Sequence, residues 1–287
     1  MKKHMVCLLI CLAACEVLVA HPGIGIVSDS EGNVFFTDLE HVWKISTDGE
    51  LSIAVENVHT HELFIDENDN LYGEHEWYNG ERTDTWGNYV WCLKKNGEFE
   101  KTIPDVEGFL ENNTLVRDPL GNSYWAEDSS GYDQLRITTV DGKENLFSKH
   151  KFRDIRWMYY SEDDQHLYVV NNLLIKKVNG KGDVTTVASG LKEKEPSFNG
   201  VSDRHYIFGI WTDRNQDLFV AVFGSGKVVR VEKSGNISEI FKSPEGWSPC
   251  GGMSANDGTL WILEFSEDNR TRVRKIEASG RQTVFGN

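Results

Sequence analysis

The chain has 287 residues, 39% of them hydrophobic, and a formal net charge of −15 at pH 7. That length holds one large domain or two small ones with a core of their own. The acidic balance argues against nucleic acid or an anionic membrane surface as partner. Beyond the N-terminus no apolar run is long enough to span a bilayer.

Residues 1–20, MKKHMVCLLICLAACEVLVA, open on Lys2 and Lys3, continue as an apolar run and end in small residues. This is the pattern of an export signal. Two processing routes fit: cleavage after Ala20, leaving His21 first, or lipidation of Cys15 within the lipobox-like LAAC. Simple secretion fits better, because patterned sequence begins at about His21 and leaves little tether for a lipid anchor. Either route makes the mature chain secreted or periplasmic. Only Cys92 and Cys250 lie outside the signal, so there is no disulfide framework.

From there to its end the chain repeats one pattern six times. DSEGNVFFTD (29–38), DENDNLYGEH (66–75), DPLGNSYWAE (118–127), EDDQHLYVVN (162–171), DRNQDLFVAV (213–222) and ANDGTLWILE (255–264) each set an acidic or polar turn before a short apolar strand. A second signature follows each block: VWKISTDGEL, VWCLKKNGEF, RITTVDGKEN, IKKVNGKGDV, VVRVEKSGNI and VRKIEASGRQ. Turn residues such as Asp-Gly and Asn-Gly between apolar alternations are hairpin signals, so each unit supplies two hairpins and four strands, a to d. Successive blocks start 37 to 52 residues apart, near the period of propeller blades. A lone four-stranded unit cannot bury both faces, so the units must stack around an axis. The expectation is all-β: one six-bladed β-propeller of four-stranded antiparallel blades over residues 21–287. The chain starts on strand a and finishes on strand d, so no blade is shared between its ends.

Tight a–b and c–d turns put the b–c loops and the d–a links together on the opposite face. Inner strands would begin near Ile24, His61, Asn113, Trp157, Phe208 and Cys250, and strand b would end at Asp38, His75, Glu127, Asn171, Val222 and Glu264. His21, His59, Arg156, His205 and Tyr206 belong nearby. In VHTHELFID (58–66), His59 and His61 are two apart and project to one side of an extended chain. Two such imidazoles can hold a divalent ion (Zn, Mn, Mg or Ca) given a third ligand. His75 is the expected third; Glu74, Glu127 and His205 are alternatives. The same histidines can equally hydrogen-bond between blades, and no zinc motif decides the matter.

The longest b–c connection, 76–89, follows His75 and is dense in aromatic and charged residues. Trp77, Tyr78 and Trp86 are read as a wall or lid over a sugar ring or apolar ligand, with Trp247 in another loop. Glu127 and Asn113 are candidate polar contacts to the same substrate. Trp91, Trp125, Trp211 and Trp261 fall in strands and read as packing. Cys250 lacks any triad context and reads as a buried, inert thiol.

The PGIGIVSDSEGNVFFTD start resembles NHL-repeat propellers, and is similar to streptogramin (virginiamycin B) lyases and gluconolactonase-type proteins, over essentially the whole mature chain. The lyase resemblance implies a base that removes a proton beside a carbonyl while a divalent ion stabilises the developing charge. His205 or Tyr206 would be that base, and Arg156 would hold a substrate carboxylate, which suits a small-molecule or carbohydrate substrate. The gluconolactonase resemblance implies a metal-dependent lactonase or esterase, but His21 and Pro22 stand where that pattern places an acidic ligand. NHL-type propellers that only bind proteins or glycans are the third reading.

Overall fold

The computed structural model describes residues 22–108, 115–195, 197 and 201–286. The expected signal 1–20, His21 and Asn113 lie outside the described residues.

Twenty-three strands build six sheets, each from strands consecutive in the chain. Blade 1 holds β1 (Ile26–Ser28), β2 (Val34–Thr37), β3 (Val42–Ile45) and β4 (Leu51–Val55). Blade 2 holds β5 (Leu63–Ile65), β6 (Leu71–Tyr78), β7 (Trp86–Leu93) and β8 (Phe99–Glu107). In blade 3, β9 (Ser123–Ser129), β10 (Tyr132–Thr138) and β11 (Glu144–Phe152) form a three-stranded sheet. At its inner edge, among the described residues, Arg117 bridges to Ser123. Blade 4 comprises β12 (Ile155–Ser161), β13 (His166–Asn171), β14 (Leu174–Val178) and β15 (Val184–Ala188). Blade 5 comprises β16 (Ile210–Thr212), β17 (Leu218–Val222), β18 (Lys227–Val231) and β19 (Ile237–Lys242). Blade 6 comprises β20 (Trp247–Ser254), β21 (Leu260–Ser266), β22 (Thr271–Ile276) and β23 (Gln282–Phe285). All pairings are antiparallel, and the six-bladed all-β propeller expected from the repeat is the fold.

The repeat blocks owe their form to one turn. Asp29, Asp66, Asp118 and Asp213 each accept backbone N–H bonds from two and four residues further on, at 2.8–3.0 Å. This side-chain mimic of a backbone turn is the reason for an acidic residue at the head of the block. The fourth block position takes a positive φ in all six units: Gly32, Asp69, Gly121, Gln165, Gln216 and Gly258. Glycine, and short or flexible polar residues, tolerate that conformation best.

Second strands are packed on both sides: β2 and β17 are buried throughout. Outer strands face water, and β8 is mostly exposed. Trp91, Trp125, Trp211 and Trp261 are all under 9% exposed, so the strand tryptophans are packing residues. Cys92 and Cys250 are buried and unpaired.

Among the described residues, the first and last strands lie in different blades. The ring closes where Ile24 and β1 lie against β20, with Gly251 so close that a Cβ there would stand 2.3 Å from the Ile24 carbonyl oxygen. Neighbouring blades are also stitched through backbone: Ile24 and Gly25 donate to the His61 carbonyl at 2.8 and 2.9 Å, and Gly209 donates to that of Cys250 at 2.8 Å. No helix among the described residues is long and apolar enough to cross a membrane.

Candidate metal centre and active-site face

The link from β4 to β5 carries His59, Thr60 and His61, and it is tied down along its length. Thr37 Oγ1 donates to the Thr60 carbonyl at 2.6 Å, and Thr60 Oγ1 donates to the Glu74 carbonyl at 2.5 Å. Trp91 Nε1 donates to the same Glu74 carbonyl at 3.0 Å. The Glu74 side chain, 4% exposed, turns back under the link and accepts the backbone N–H of His61 and that of Glu62 (3.1 Å for the latter) through Oε1. Its Oε2 is buried and has no hydrogen-bond partner. A buried carboxylate oxygen left without a donor is costly, and calls for a proton or a cation.

Strand alternation along β6 sends Glu74 and Glu76 to one side and His75 to the other. On the first side, the His59 and His61 rings meet edge to face with centroids 4.8 Å apart. His61 Nδ1 lies 3.6 Å from Glu74 Oε1 and 3.9 Å from Glu76 Oε2. One ligating atom each of His59, His61 and Glu76 falls within 4.8 Å of the others. Metal–ligand bonds of about 2.0–2.4 Å put two ligand atoms up to roughly 4–4.8 Å apart across one ion. Two imidazoles and one carboxylate therefore fit a divalent cation after small side-chain rotations, with the Glu74 carboxylate beside His61. The expected set was His59, His61 and His75. The structure brings together the first two and substitutes Glu76 for the third.

His75 serves differently. Its Nδ1 accepts the backbone N–H of His59 at 2.9 Å, and its ring stacks on Tyr89 at 4.7 Å. It positions the link rather than joining the cluster. Burial, then the charge of Lys101, lowers its pKa.

Electrostatics divide the cluster. Burial and the neighbouring His61 lower the pKa of His59. For His61 burial also pulls downward, but the hydrogen bond and charge of Glu74, with Glu76 and Glu62, outweigh it and raise the pKa. Burial raises the Glu76 carboxyl despite His61. Enclosure and the Glu74 carboxylate push Glu62 up to about 8.

Arg156, on β12, belongs to the same electrostatic neighbourhood. It acts on Glu62, Glu76 and His205, and its Nε is buried without a hydrogen-bond partner. His205, in the short 3-10 turn Asp203–His205, is half-buried and packs on Phe208 at 6.1 Å. Burial, then Arg156 and Arg204, lowers its pKa, which leaves the imidazole neutral and basic near pH 7. Tyr206 stands elsewhere. It is fully buried, its hydroxyl bonds Ser225 Oγ at 2.7 Å and the Glu193 backbone N–H at 3.1 Å, and its ring covers Gly224. It is a packing residue, whereas His205 lies within electrostatic reach of Arg156.

Residues 76–89 are not a loop. β6 and β7 pair continuously out to Tyr78 and Trp86, and only Asn79–Thr85 turn. Trp77 lies over Gly87, where a Cβ would stand 1.8 Å from its ring. Tyr78 and Trp86 face each other at 4.3 Å and are 41% and 44% exposed. The expected aromatic lid is thus a projecting two-stranded arm. Trp247 also lies in a strand, with the Arg272 guanidinium 3.8 Å from its ring.

Glu127 faces Arg136 at 3.7 Å on blade 3 and joins none of these groups. The other polar strand-b ends have partners within the protein. Asp38 is occupied by Trp43 Nε1 and two backbone N–H groups, Asn171 by the N–H groups of Arg153 and Asp154, and Glu264 by Arg272 and Arg274. Glu62 and Glu76 are the residues that sequence reasoning missed. Strand alternation from Glu74 pointed to Glu76, but the block pattern ended strand b at His75.

No protein-family model and no curated protein sequence matches this chain. Solved structures do. The luciferin-regenerating enzyme superposes with a TM-score of 0.62 at 13% identity, over 93% of this chain and 94% of its own. The gluconolactonase XC5397 from Xanthomonas campestris gives 0.58 at 15%, over 85% and 83%. Virginiamycin B lyase from Staphylococcus aureus gives 0.52 at 17%, over 93% and 85%. At these identities the likeness establishes the six-bladed propeller fold that the chain shares with lyase and lactonase structures.

Proposed function

We propose that this propeller is an exported lyase that eliminates across a carbon–carbon bond beside a carboxylate, with a uronate-bearing carbohydrate as the substrate class. The observation that carries the reading is one convergence. His59, His61 and Glu76 offer a cation site in the same charged neighbourhood as an arginine whose Nε has no hydrogen-bond partner and a neutral imidazole.

Each residue then has a task. Arg156 pairs with the substrate carboxylate, and a guanidinium suits that planar partner. His205 takes the proton from the adjacent carbon; the electron pair forms the new double bond, and the β-oxygen departs with the bonding pair and takes up a proton from the His205 imidazolium or from water. A base with a depressed pKa is in its working form at neutral pH. A divalent cation held by His59, His61 and Glu76 supplies Lewis-acid polarisation of a carboxyl or carbonyl oxygen when bound. The aromatic arm, with Tyr78 and Trp86, offers a stacking surface for further sugar rings. Fold likeness to a streptogramin lyase is compatible with this chemistry and does not by itself argue for it.

Two measurements test the reading. Elemental analysis after equilibration with Zn, Mn, Mg or Ca should find about one ion per chain in the wild type and none in His61→Ala. Uronate polymers and oligosaccharides should gain the ultraviolet absorbance of a conjugated double bond, and His205→Asn should abolish that gain while retaining the ion. Lactone hydrolysis without unsaturated product would replace the lyase with the lactonase reading, and protein that binds no ion would remove the metal from either.

A further inference from the structure

The turn that closes the arm of blade 2 carries the pair Asn79–Gly80. An asparagine followed by glycine is prone to deamidation, because a residue without a Cβ leaves its backbone nitrogen open to attack the neighbouring side-chain amide. The described residues hold three such pairs, each between two strands: Asn79–Gly80, Asn96–Gly97 and Asn179–Gly180. A fourth, Asn199–Gly200, lies outside the described residues. Two of the three are locked. Asn96 Oδ1 accepts the backbone N–H of Glu98 at 3.0 Å, and the Gly97 N–H, the group that would have to attack, donates to the Lys94 carbonyl at 2.8 Å. Asn179 Oδ1 accepts the N–H groups of Lys181 and Asp183 at 2.9 and 3.0 Å, while its Nδ2 donates to Asp183 Oδ2 at 3.1 Å. These side chains are part of their turns, so reaction there requires the turn to open first.

Asn79 differs. Among the described residues its side chain makes one hydrogen bond, from Nδ2 to Thr85 Oγ1 at 3.2 Å; its Oδ1 accepts none, and the Gly80 N–H donates to none. Asn79 and Asn96 are both exposed, so access does not separate them and hydrogen bonding does. Gly80 has a φ of 81°, and a Cβ there would meet nothing within 4 Å, which leaves room for a ring to form. The tip is strapped by two backbone bonds, from the Asn79 N–H to the Thr85 carbonyl and from the Asp84 N–H to the Gly80 carbonyl, each 3.0 Å.

We infer that Asn79 is a modification site at which the folded chain converts asparagine to aspartate and isoaspartate, with water as the co-reactant, and that the conversion loosens the arm carrying Tyr78 and Trp86. The Gly80 nitrogen gives its proton to solvent base and attacks Asn79 Cγ. The Cγ–Nδ2 bond breaks, and the nitrogen leaves as ammonia with a proton from water. Water then adds to either carbonyl of the succinimide and opens the ring. In isoaspartate the main chain runs through the former side-chain carboxyl, which inserts a carbon between the Asn79 N–H and the Gly80 carbonyl. Those two groups strap the tip, so both bonds lose their register.

Incubation of the purified full chain at mildly alkaline pH, with mass spectrometry of digests over time, tests this. Each asparagine's rate is divided by its own rate in denaturing urea, which removes the effect of flanking sequence. So normalised, Asn79 should react about tenfold faster than Asn96 and Asn179, the factor that one or two ordinary hydrogen bonds impose on a local opening. The near-ultraviolet dichroism of the Tyr78–Trp86 pair should decay at the Asn79 rate. Asn79→Gln, whose longer side chain cyclises far more slowly, should hold that signal through the same incubation. Neither readout involves the histidine cluster, so the result is independent of the metal and lyase readings. The inference is overturned if Asn79 is not the fastest of the three by about that factor, if isoaspartate accumulates there with the dichroism unchanged, or if Asn79→Gln loses its signal as fast as the wild type.

Discussion

Glu62 begins the inner strand of blade 2 with the Glu74 carboxylate nearby, and the fold holds its carboxyl protonated up to about pH 8 against an ordinary value of 4.5. A raised carboxyl pKa contributes stability only below the unfolded value and loses it as pH rises toward the folded one. In metal-free protein, Glu62→Gln should therefore raise stability at pH 7 by about 1–2 kcal/mol, discounted for partial solvent access, and should change little near pH 4. Thermal melts of both proteins at the two pH values check this; an equal shift at both would mean the side chain matters by packing alone. The histidines run the other way. His59, His75 and His205 are lowered, so the unfolded chain binds protons more readily, and the stability they lend above pH 6.5 is lost as pH falls through their folded values. His61 is raised and opposes them, its contribution being complete below 6.5 and lost above its folded value. His150 is lowered by burial as well, so with four against one the melting temperature of chelated protein should fall from about pH 7.5 to about pH 5, and His205→Asn should flatten that fall. Tyr206→Phe, which removes two buried hydrogen bonds, should cost about 1–2 kcal/mol with no change in any pH profile.

The arm of blade 2 shows where a sequence pattern stops being informative. The six blocks were legible because four of them carry an aspartate-capped turn and all six a positive φ, and those demands leave marks on residue type. The arm has no such mark. Asn79, Gly80, Glu81, Arg82, Thr83 and Asp84 look like a loop because the turn is polar, while the pairing that extends β6 and β7 is written in contacts across the hairpin. Trp77 against Gly87 is the main one, and it reads in sequence as an aromatic and a glycine ten positions apart. The cluster was legible to the same degree. His59 and His61 share a side in any extended chain, but choosing Glu76 over His75 required knowing that β6 continues past His75. Gly87→Ala tests the arm as an element: its Cβ would collide with the Trp77 ring, so the indole must leave and the pairing beyond it loosen. An overpacking of this kind should cost about 1–3 kcal/mol, with loss of near-ultraviolet dichroism from the Tyr78–Trp86 pair. Unchanged dichroism and melting would show that Trp77 does not hold the arm.

At the scale of the ring, every blade among the described residues is drawn from consecutive strands, so no sheet hydrogen bonds join blade 1 to blade 6 there. Closure rests on the seam between Ile24 with β1 and β20, and on the approach of Phe285 of blade 6 to Gly49 of blade 1, where an added Cβ would stand 3.5 Å from the Phe285 ring. A propeller without a shared blade should be most sensitive at that seam, because opening it frees both edges of a ring that otherwise has none. Gly251 is the point of closest approach. A valine there would drive its Cβ into the Ile24 carbonyl, which backbone cannot relieve without parting blades 1 and 6. Gly251→Val should lower the urea midpoint by the equivalent of about 1–3 kcal/mol, and the slope of the transition should fall if the seam opens before the blades unfold. Gly180→Ala is the matched control. It meets nothing within 4 Å and sits at an ordinary φ, so it should be neutral or stabilising by less than about 1 kcal/mol through the unfolded chain. Equal midpoints and slopes for the two variants would mean that the ring is held by its blade-to-blade cores and that the seam is a bystander.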